Sequence, residues 1–321
     1  SMVPIMGDGA VVVPGGSLRS AAVTLWSDPQ IESWQARGRR VTVSGPALPT
    51  QDVFVVDVAA ADPDPALEVL LVVHGFPTSS FDWAHLVDDM ARRRRVVLVD
   101  LPGFGLSDKP DRHYTIAGAA DAVVGVTGAL ALDRVALLTL DMGDTVGGEL
   151  LARQMEGIWQ VEITRRVVTN GSIYIDMAHL TDGQLMLLSM PDECGPAGPG
   201  PELLAASLQA TLAEAHRAAT DMTAAAVLVC HDGGDALLPR TIRYIEERRS
   251  NERRFTGAIE THPSPLHVLW GPEDPIAVPS MTYRLLEARP DATRIWIDGA
   301  GHYPQNEDPA AYLAALEQAL G

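Results

Sequence analysis

The stretch Val135-Ala-Leu-Leu-Thr-Leu-Asp-Met-Gly-Asp-Thr-Val-Gly-Gly-Glu-Leu150 decides the fold, because it places an acidic residue where a strand turns into a helix. Residues 135–140 form an apolar run of the length expected for a strand buried on both faces. Gly143 follows Asp141 by two residues, and apolar residues then recur at helical spacing. Strand, tight turn and helix in this order are typical of a nucleophile elbow. The sequence therefore predicts that Asp141 stands clear of the carboxyl edge of a sheet.

A simpler interpretation is that Asp141 caps the following helix, since aspartate is a preferred N-cap residue. For Asp144 we favour such a structural role, because a negative charge in the first turn of a helix meets the helix dipole favourably. The choice for Asp141 depends on whether other segments supply partners for a nucleophile.

The composition restricts the possible partners. With 321 residues, 46% of them hydrophobic, the chain can bury a large core as one α/β domain with an insertion or as two domains. The formal net charge of −18 argues against nucleic acid or an anionic membrane as a partner, because either needs a basic face. The two cysteines lack metal-ligand spacing, and neither a membrane-spanning run nor a signal-peptide pattern is present. We expect a cytoplasmic protein without a metal or cofactor.

Strand and helix patterns alternate along much of the chain. Residues 1–30 are predicted to form an irregular arm, and the β-rich runs 40–44 and 53–58 predict an antiparallel pair at a sheet edge. The further predicted strands are 69–73, 96–99, 135–140, 166–170, 266–270 and 292–297, with a helix at 116–130. This alternation predicts an α/β fold with a mostly parallel central sheet flanked by helices.

The alternation stops between the strands 166–170 and 266–270. Ala-, Leu- and Met-rich stretches at 203–222 and 238–247 predict helices there. We interpret residues 172–255 as a helical cap inserted into a core formed by residues 31–171 and 256–321. A cap excludes water and shapes the pocket, so substrate specificity is expected to depend on it.

Two later segments each place a polar residue just past a predicted strand. Asp274 lies in Gly271-Pro-Glu-Asp-Pro275, and His302 lies in Asp298-Gly-Ala-Gly-His-Tyr-Pro304. Taken singly, such an aspartate is more often a turn former and such a histidine more often structural. Together with Asp141 they follow the order nucleophile, acid, histidine that is known for open α/β sheets. We therefore predict Asp141, Asp274 and His302 as a catalytic triad.

The run His74-Gly-Phe-Pro77 follows the predicted strand 69–73. Gly75 lets the backbone pass close to a bound group, so that the Phe76 N–H can face the space above Asp141. The Met142 N–H at the elbow is the second donor of the predicted oxyanion hole.

Three motifs together resemble the α/β-hydrolase superfamily, in its epoxide hydrolase and haloalkane dehalogenase branch: His74-Gly-Phe-Pro77, Asp100-Leu-Pro-Gly-Phe-Gly-Leu-Ser107 and the elbow with aspartate at its crest. The longer runs 74–83 and 141–146, and the run from His302-Tyr-Pro-Gln305 onward, are similar to the mesoderm-specific transcript subgroup and its bacterial relatives. The similarity extends from roughly residue 31 to the C-terminus and is weak between about 176 and 238. It implies the α/β-hydrolase fold with an inserted cap, but it implies no particular substrate.

A carboxylate nucleophile determines the chemistry. It is already anionic at neutral pH and attacks a saturated carbon directly, which gives an ester of Asp141. His302, oriented by Asp274, then activates a water that hydrolyses the ester, while the Phe76 and Met142 N–H groups hold the oxyanion. Formation and hydrolysis of such an ester serve two substrate classes, epoxides and alkyl halides.

The leaving group distinguishes these classes. Resemblance to dehalogenases assigns halide binding to a Trp after the nucleophile and to an Asn or second Trp elsewhere, whereas this chain has Met142 and Phe76. Epoxide hydrolases use two cap tyrosines as acids. Tyr244 occupies a place similar to one of them, while Tyr174 lies earlier than the other and Met190 lies nearer the expected position.

The remaining candidates are Trp83, Tyr174 and Asn170, which we predict as substrate-binding residues, although Asn170 could equally form a turn with Gly171. The predicted function is hydrolysis of a small apolar electrophile, an epoxide in the first place. Its partners are then the small-molecule substrate and water, without nucleic acid or membrane. A haloalkane dehalogenase, an esterase-like hydrolase and a non-catalytic binding protein on the same scaffold remain alternatives.

Overall fold

An eight-stranded sheet organises residues 28–321, the part of the chain that the structure, a computed structural model, describes. The strands are β1 (Gly38–Gly45), β2 (Leu48–Val58), β3 (Val69–Val73), β4 (Val96–Val99), β5 (Arg134–Leu140), β6 (Glu162–Thr169), β7 (Leu266–Trp270) and β8 (Thr293–Trp296). They lie in the order β1-β2-β4-β3-β5-β6-β7-β8. The pairs β1·β2 and β2·β4 are antiparallel, and the other neighbours are parallel. The predicted mostly parallel sheet with an antiparallel pair at its edge is confirmed.

Helices cover the sheet and fill the insertion. The α-helices of the described residues are α1 (Pro29–Arg37), α2 (Val87–Met90), α3 (Ile116–Ala129), α4 (Met142–Met155), α5 (Asp182–Ser189), α6 (Pro201–Gln209), α7 (Glu214–Arg217), α8 (Thr223–Cys230), α9 (Leu238–Thr241), α10 (Tyr244–Ser250), α11 (Glu252–Thr261), α12 (Ser280–Ala288), α13 (Pro304–Glu307) and α14 (Pro309–Leu320). Short 3-10 helices lie at Ser80–Trp83 and His231–Leu237.

The predicted irregular arm lies outside the described residues up to residue 27. The last predicted arm residues are helical instead, because α1 begins at Pro29, where the Asp28 side chain accepts the Gln30 N–H and proline suits the first helical position. Trp34 of α1 is buried in the core.

The strands β3, β4 and β5 form the centre of the core. Their apolar residues are buried on both faces, as expected for parallel strands covered by helices. Polar residues begin where the strands end, with His74 after β3, Asp141 after β5 and Asn170 after β6. Because the carboxyl ends of parallel strands meet at one edge, these residues lie on the same side of the sheet.

The segment between β6 and β7 is helical, and its helices are shorter than the sequence predicts. The predicted helix 203–222 is broken between α6 and α7, where the Ala213 N–H donates to the Glu307 side chain at 2.8 Å instead of to its own helix. The predicted helix 238–247 is divided into α9 and α10. Helix α11 packs against α4, so the predicted cap boundary at residue 255 falls inside a helix of the core layer.

Within residues 28–321, no helix is both long enough and apolar enough to cross a membrane.

Candidate active site

Asp141 lies at the turn from β5 to α4 in a backbone conformation that residues with side chains rarely adopt, with φ 51° and ψ −115°. Glycines make this turn possible. A Cβ on Gly143 would lie 2.4 Å from the Val73 carbonyl oxygen, and a Cβ on Gly75 would lie 2.6 Å from the Asp141 Cβ. Backbone strain of this kind costs about 1–3 kcal/mol and clusters at functional sites. The local geometry is that of the elbow expected from the sequence.

The Asp141 carboxylate is buried, and its two oxygens have different surroundings. Oδ2 accepts the Phe76 N–H at 2.9 Å, while Oδ1 lies 4.0 Å from His302 Nε2. Only 3% of the residue is exposed. One oxygen is therefore held by a backbone donor, and the other is directed toward the imidazole.

Asp274, just past β7, holds the imidazole of His302, just past β8. His302 Nδ1 lies 2.8 Å from Asp274 Oδ2, which leaves Nε2 facing Asp141. The other oxygen, Oδ1, accepts the N–H groups of Ile276 at 2.7 Å and Ala277 at 3.0 Å. These donors fix the carboxylate, and through it they fix the orientation of the imidazole ring.

The charge state of His302 depends on its carboxylate neighbours. Burial by itself lowers the pKa of His302, but the charge and hydrogen bond of Asp274, followed by the charges of Asp141 and Glu307, raise it to about 9. At neutral pH the resting imidazole is therefore protonated.

Asn170, predicted to bind substrate, is hydrogen-bonded to Asp274 and to the loops around it. Its Nδ2 donates to Asp274 Oδ2 at 2.8 Å and to the carbonyl oxygens of Gly271 and Gly301 at 3.2 Å each. Its Oδ1 accepts the Gly271 N–H at 2.9 Å. With every polar atom of its amide used in this way, Asn170 joins the loops that carry Asp274 and His302.

We expect Asn170→Ala to lower the free energy of unfolding by about 3 kcal/mol, because it leaves the buried groups around Asp274 without their partner. Urea unfolding followed by fluorescence measures this change. Asn251→Ala is a matched control, since that exposed asparagine makes a side-chain hydrogen bond within one helix end. Equal stability of the two variants would contradict the role given to Asn170.

The turn that presents the Phe76 N–H is held by the loop after β4. His74 Nε2 accepts the Leu101 N–H at 2.9 Å, and Asp100 Oδ1 accepts the Ser80 N–H at 2.8 Å. Two of the motifs quoted above are thus joined by hydrogen bonds. Met142, the second predicted donor, opens α4 directly beside Asp141.

Tyr244 in α10 lies over this turn, with its ring 5.7 Å from the ring of Phe76. Burial, and then the charge of Asp141, raise the pKa of its hydroxyl, while the charge of Arg248 lowers it. No hydrogen bond to a protein group contributes to this shift. Tyr244, Met142 and Phe104 line a cavity of about 340 Å³.

Two other predicted substrate-binding residues are directed elsewhere. The Tyr174 hydroxyl donates to Glu260 Oε1 at 2.7 Å, and the guanidinium of Arg284 lies 4.0 Å from the centre of its ring. Trp83 is fully buried, and its indole N–H donates to the Tyr312 hydroxyl at 3.3 Å. The polar atoms of both side chains are thus engaged by protein groups, and their contact with substrate stays a prediction.

Glu307 is a residue of the site that the sequence did not indicate. Its Oε2 accepts the N–H groups of Gly301 and Ala213 at 2.8 Å each, and its Oε1 accepts the Tyr303 N–H at 3.0 Å. It thereby joins the insertion to both neighbours of His302. A lone glutamate in a short helix carries no pattern from which this could have been predicted.

Asp144 is fully buried and accepts a hydrogen bond from the Thr139 hydroxyl. Burial, counteracted by this hydrogen bond, raises its pKa to about 8. A Cβ on Gly171 would lie 2.1 Å from its Oδ2, so this side chain fills the space behind the elbow. Its position agrees with the structural role that we favoured for it.

Within residues 28–321, no group of three or more His, Cys, Asp or Glu side chains is arranged to hold a metal ion. A mostly parallel sheet with an acidic elbow after β5, a second acid after β7 and a histidine after β8 defines the class of α/β hydrolases. The chain belongs to the alpha/beta hydrolase family, whose pattern matches residues 69–316.

Among its relatives, the protein LipZ of Mycobacterium tuberculosis is 33% identical over 299 residues, which cover 90% of this chain and 97% of LipZ. The human mesoderm-specific transcript homolog protein is 30% identical over 304 residues, covering 89% of this chain and 87% of that protein. The resemblance to this subgroup is thus confirmed. A solved structure of a thermophilic esterase from Thermogutta terrifontis matches with a TM-score of 0.68 at 21% identity, covering 87% of this chain and 97% of the esterase, which supports the fold.

Proposed function

We propose that this hydrolase acts on a small apolar electrophile, an epoxide in the first place, through an ester on Asp141. The observation that carries the proposal is the different placement of the two Asp141 oxygens. Oδ2 is held by the Phe76 N–H, and Oδ1 faces His302, whose other nitrogen is held by Asp274. Oδ1 is thus placed to attack, and Oδ2 is placed to carry the oxyanion when the resulting ester is hydrolysed.

In the first step, Asp141 Oδ1 bonds to an epoxide carbon, and the ring C–O bond breaks. The opening oxygen becomes a hydroxyl and needs a donor as its charge develops. We assign Tyr244 as the acid for this oxygen, because its buried phenol carries a proton at neutral pH and no hydrogen bond to a protein group contributes to its pKa. The product of this step is a hydroxyalkyl ester of Asp141.

In the second step, His302 takes a proton from a water that adds to the carboxyl carbon of Asp141. The tetrahedral oxyanion then forms on Oδ2, where the Phe76 N–H already lies and the Met142 N–H is next in the chain. When this intermediate breaks down, the leaving alkoxide takes the proton held by His302 and departs as the diol, and the second proton of the water returns to the Tyr244 phenolate as the Asp141 carboxylate is restored. Asp274 stabilises the imidazolium while the proton resides on His302.

This step has a defined pH dependence. In the ester form Asp141 is neutral, so we expect the pKa of His302 to fall below its resting value of about 9. Protonated imidazole cannot accept a proton, so ester hydrolysis slows as the pH falls below this pKa and is constant above it. Single-turnover hydrolysis rates measured across pH determine the value. In Asp274→Asn the midpoint should lie lower, and an unchanged midpoint would contradict this assignment.

Tyr244→Phe should slow ring opening by about 10–100-fold, since a positioned general acid contributes at least that much. Its melting temperature should stay near that of the wild type, because no hydrogen bond to a protein group contributes to the pKa of its hydroxyl. Tyr174→Phe is the matched control, since that hydroxyl bonds to Glu260. A ring-opening rate equal to that of the wild type in Tyr244→Phe would remove Tyr244 from the mechanism.

The alternatives are less well supported. Halide release needs N–H donors, whereas the side chains of Met142 and Phe76 have none and the Trp83 indole is bonded to Tyr312. Attack of a carboxylate on a carboxylic ester gives an anhydride, which is more reactive than the ester consumed. A saturated carbon is therefore the better electrophile for Asp141.

A single turnover in water enriched in heavy oxygen tests the proposal. The ester mechanism transfers an Asp141 oxygen to the diol and places the heavy oxygen in Asp141, so the first product is unlabelled. Fragmentation of the peptide must locate the label at Asp141 and not at Asp144, which serves as the internal control. Heavy oxygen that appears directly in the first diol would refute the proposal, and so would the absence of turnover with every epoxide offered.

A further inference from the structure

A fully buried cation, Arg248, lies in the same helix as Tyr244. It follows Tyr244 by four residues in α10, so the two side chains share one face of that helix. Only 1% of Arg248 is exposed. A charge taken out of water is costly unless other groups compensate it, so the neighbours of this guanidinium determine what it can do.

Two nitrogens of the guanidinium are held by protein groups near the elbow. Nε donates to Thr145 Oγ1 at 2.7 Å, and Thr145 lies in α4, four residues after Asp141. Nη1 donates to the Ser172 carbonyl oxygen at 2.6 Å. Within residues 28–321, Nη2 has no hydrogen-bond partner. The guanidinium is thus fixed in place, although its donors are not all used.

Arg248 also lacks an anion in contact with it among the described residues. There, no Asp or Glu oxygen lies within 4.0 Å of an Arg248 nitrogen. The charge of Arg248 lowers the pKa of Asp144, but burial outweighs this effect and raises that pKa to about 8. Asp144 is therefore protonated at neutral pH and does not neutralise the guanidinium.

The guanidinium lies against the aromatic ring of Tyr244. Arg248 Cζ lies 5.1 Å from the centre of this ring, within the range of a cation–π contact. The ring also lies 5.7 Å from that of Phe76, whose N–H holds Asp141 Oδ2. Arg248 therefore contacts the side chain of α10 that lines the cavity beside Met142.

We infer that Arg248 is a positioning residue, which holds the Tyr244 ring in place and stabilises the phenolate that ring opening leaves. This inference rests on the proposed epoxide chemistry. In that step the bond from Asp141 Oδ1 to carbon forms, the ring C–O bond breaks, and its electron pair takes the Tyr244 proton. Arg248 itself neither gives nor accepts a proton.

Negative charge moves toward Arg248 during this step. It disappears from Asp141, which becomes an ester, and it appears on the Tyr244 phenolate, whose ring the guanidinium contacts. Because Thr145 and Ser172 already fix the guanidinium, it stabilises the new charge without rearrangement. The attraction is strong because Arg248 and Tyr244 are both buried. In the resting enzyme the same cation lowers the pKa of the phenol, which burial and the charge of Asp141 raise.

The test measures ring opening alone, in a His302→Gln background where the ester accumulates and intact mass gives its rate of formation. With propylene oxide as the probe, Arg248→Gln should slow ester formation by about 10-fold, because the charge is lost while an N–H donor remains. Arg248→Lys keeps the charge without the planar guanidinium and should lose only about 3-fold.

Arg243→Gln is the matched control. Arg243 is a buried arginine directly before α10, and it donates to the carbonyl oxygens of Pro239 and Leu188 within the insertion. We expect this variant to be less stable than its parent but to form the ester at the same rate. Melting temperatures establish which variants are folded.

A second set of variants separates action through the phenol from a packing role. In Tyr244→Phe, which has no phenolic proton, Arg248→Gln should change the rate by less than about 2-fold. A packing role would slow ester formation equally in both backgrounds. With Tyr244 present, the loss in Arg248→Gln should also shrink to about 3-fold for trifluoropropylene oxide, because its less basic leaving oxygen needs less help from an acid.

The proposed function and the role of Arg248 fail in different ways. If no epoxide forms an ester with the His302→Gln variant, the proposed function itself is wrong. If the ester forms, the role of Arg248 is refuted when folded Arg248→Gln reacts at the undiminished rate, or when its loss is equally large in Tyr244→Phe.

Thr145→Val takes the place of Arg248→Gln if the latter does not fold. It releases Nε of Arg248 from its anchor but keeps the charge, and it should slow ester formation by about 3-fold. A loss that disappears in Tyr244→Phe supports the role of Arg248. No loss, or a loss that persists in Tyr244→Phe, contradicts it.

Discussion

His302→Gln is expected to accumulate the Asp141 ester and to lower steady-state turnover by about 10³–10⁴-fold, because a base that is oriented by a carboxylate is lost from the second step. Glutamine fills much of the same space but cannot accept the water's proton. In the proposed mechanism ring opening needs Oδ1 of Asp141 and a proton donor but not His302, so the first step should continue. Intact mass after incubation with an epoxide should show the protein plus the whole epoxide.

The mass added also identifies the electrophile. A haloalkane adds only its alkyl group, since the halide leaves. The double variant Asp141→Asn, His302→Gln is the control and should acquire no mass. Turnover by His302→Gln at the wild-type rate would exclude His302 as the base, and no adduct with any epoxide or haloalkane would favour a binding protein without catalysis.

Asp141→Asn is expected to reduce turnover by about 10⁴-fold or more, because the amide oxygen is a far weaker nucleophile than the carboxylate. The amide can still place its oxygen against the Phe76 N–H, so the elbow should keep its shape. Steady-state assays with an epoxide substrate, together with thermal unfolding, separate the loss of chemistry from the loss of fold.

Asp144→Asn is the matched control for this experiment. Asp144 lies three residues away, is equally buried, and holds Thr139 instead of facing His302. We expect it to affect stability more than turnover. A larger loss of activity in Asp144→Asn than in Asp141→Asn would contradict the assignment of Asp141 as the nucleophile.

The central strands and the elbow could be predicted because they depend on residues that are close together in the sequence. β3, β4 and β7 have the predicted ends, since apolar runs bounded by glycine, proline and charge leave few alternatives. The elbow followed from Asp141 and Gly143 alone. That Asp274 and His302 meet there follows from the alternation of strands and helices, which brings distant strand ends to one edge.

The side-chain contacts that could not be predicted are long-range ones. Asn170 was expected to face substrate, but the nearby carboxylate of Asp274, about a hundred residues later in the chain, engages its amide. Tyr174 was placed by analogy with cap tyrosines and is instead paired with Glu260. Neither partner is visible from local spacing. The break in the helix predicted at 203–222 has the same origin, since Glu307 captures the Ala213 N–H.

The hydrogen bond from the Ala213 N–H to Glu307 limits how the insertion of this enzyme can be replaced during evolution. The backbone N–H of His302 also donates to the Thr211 carbonyl oxygen at 3.3 Å. The segment 211–213 of the insertion is therefore bonded both to His302 and to Glu307. We therefore expect that replacing the insertion would shift the position of His302 as well as change substrate selectivity, unless the new segment keeps the Thr211 carbonyl and the Ala213 N–H in place. By contrast, α5 has no fully buried residue, and its exposed side chains, such as Leu185 and Met186, can vary without disturbing that alignment.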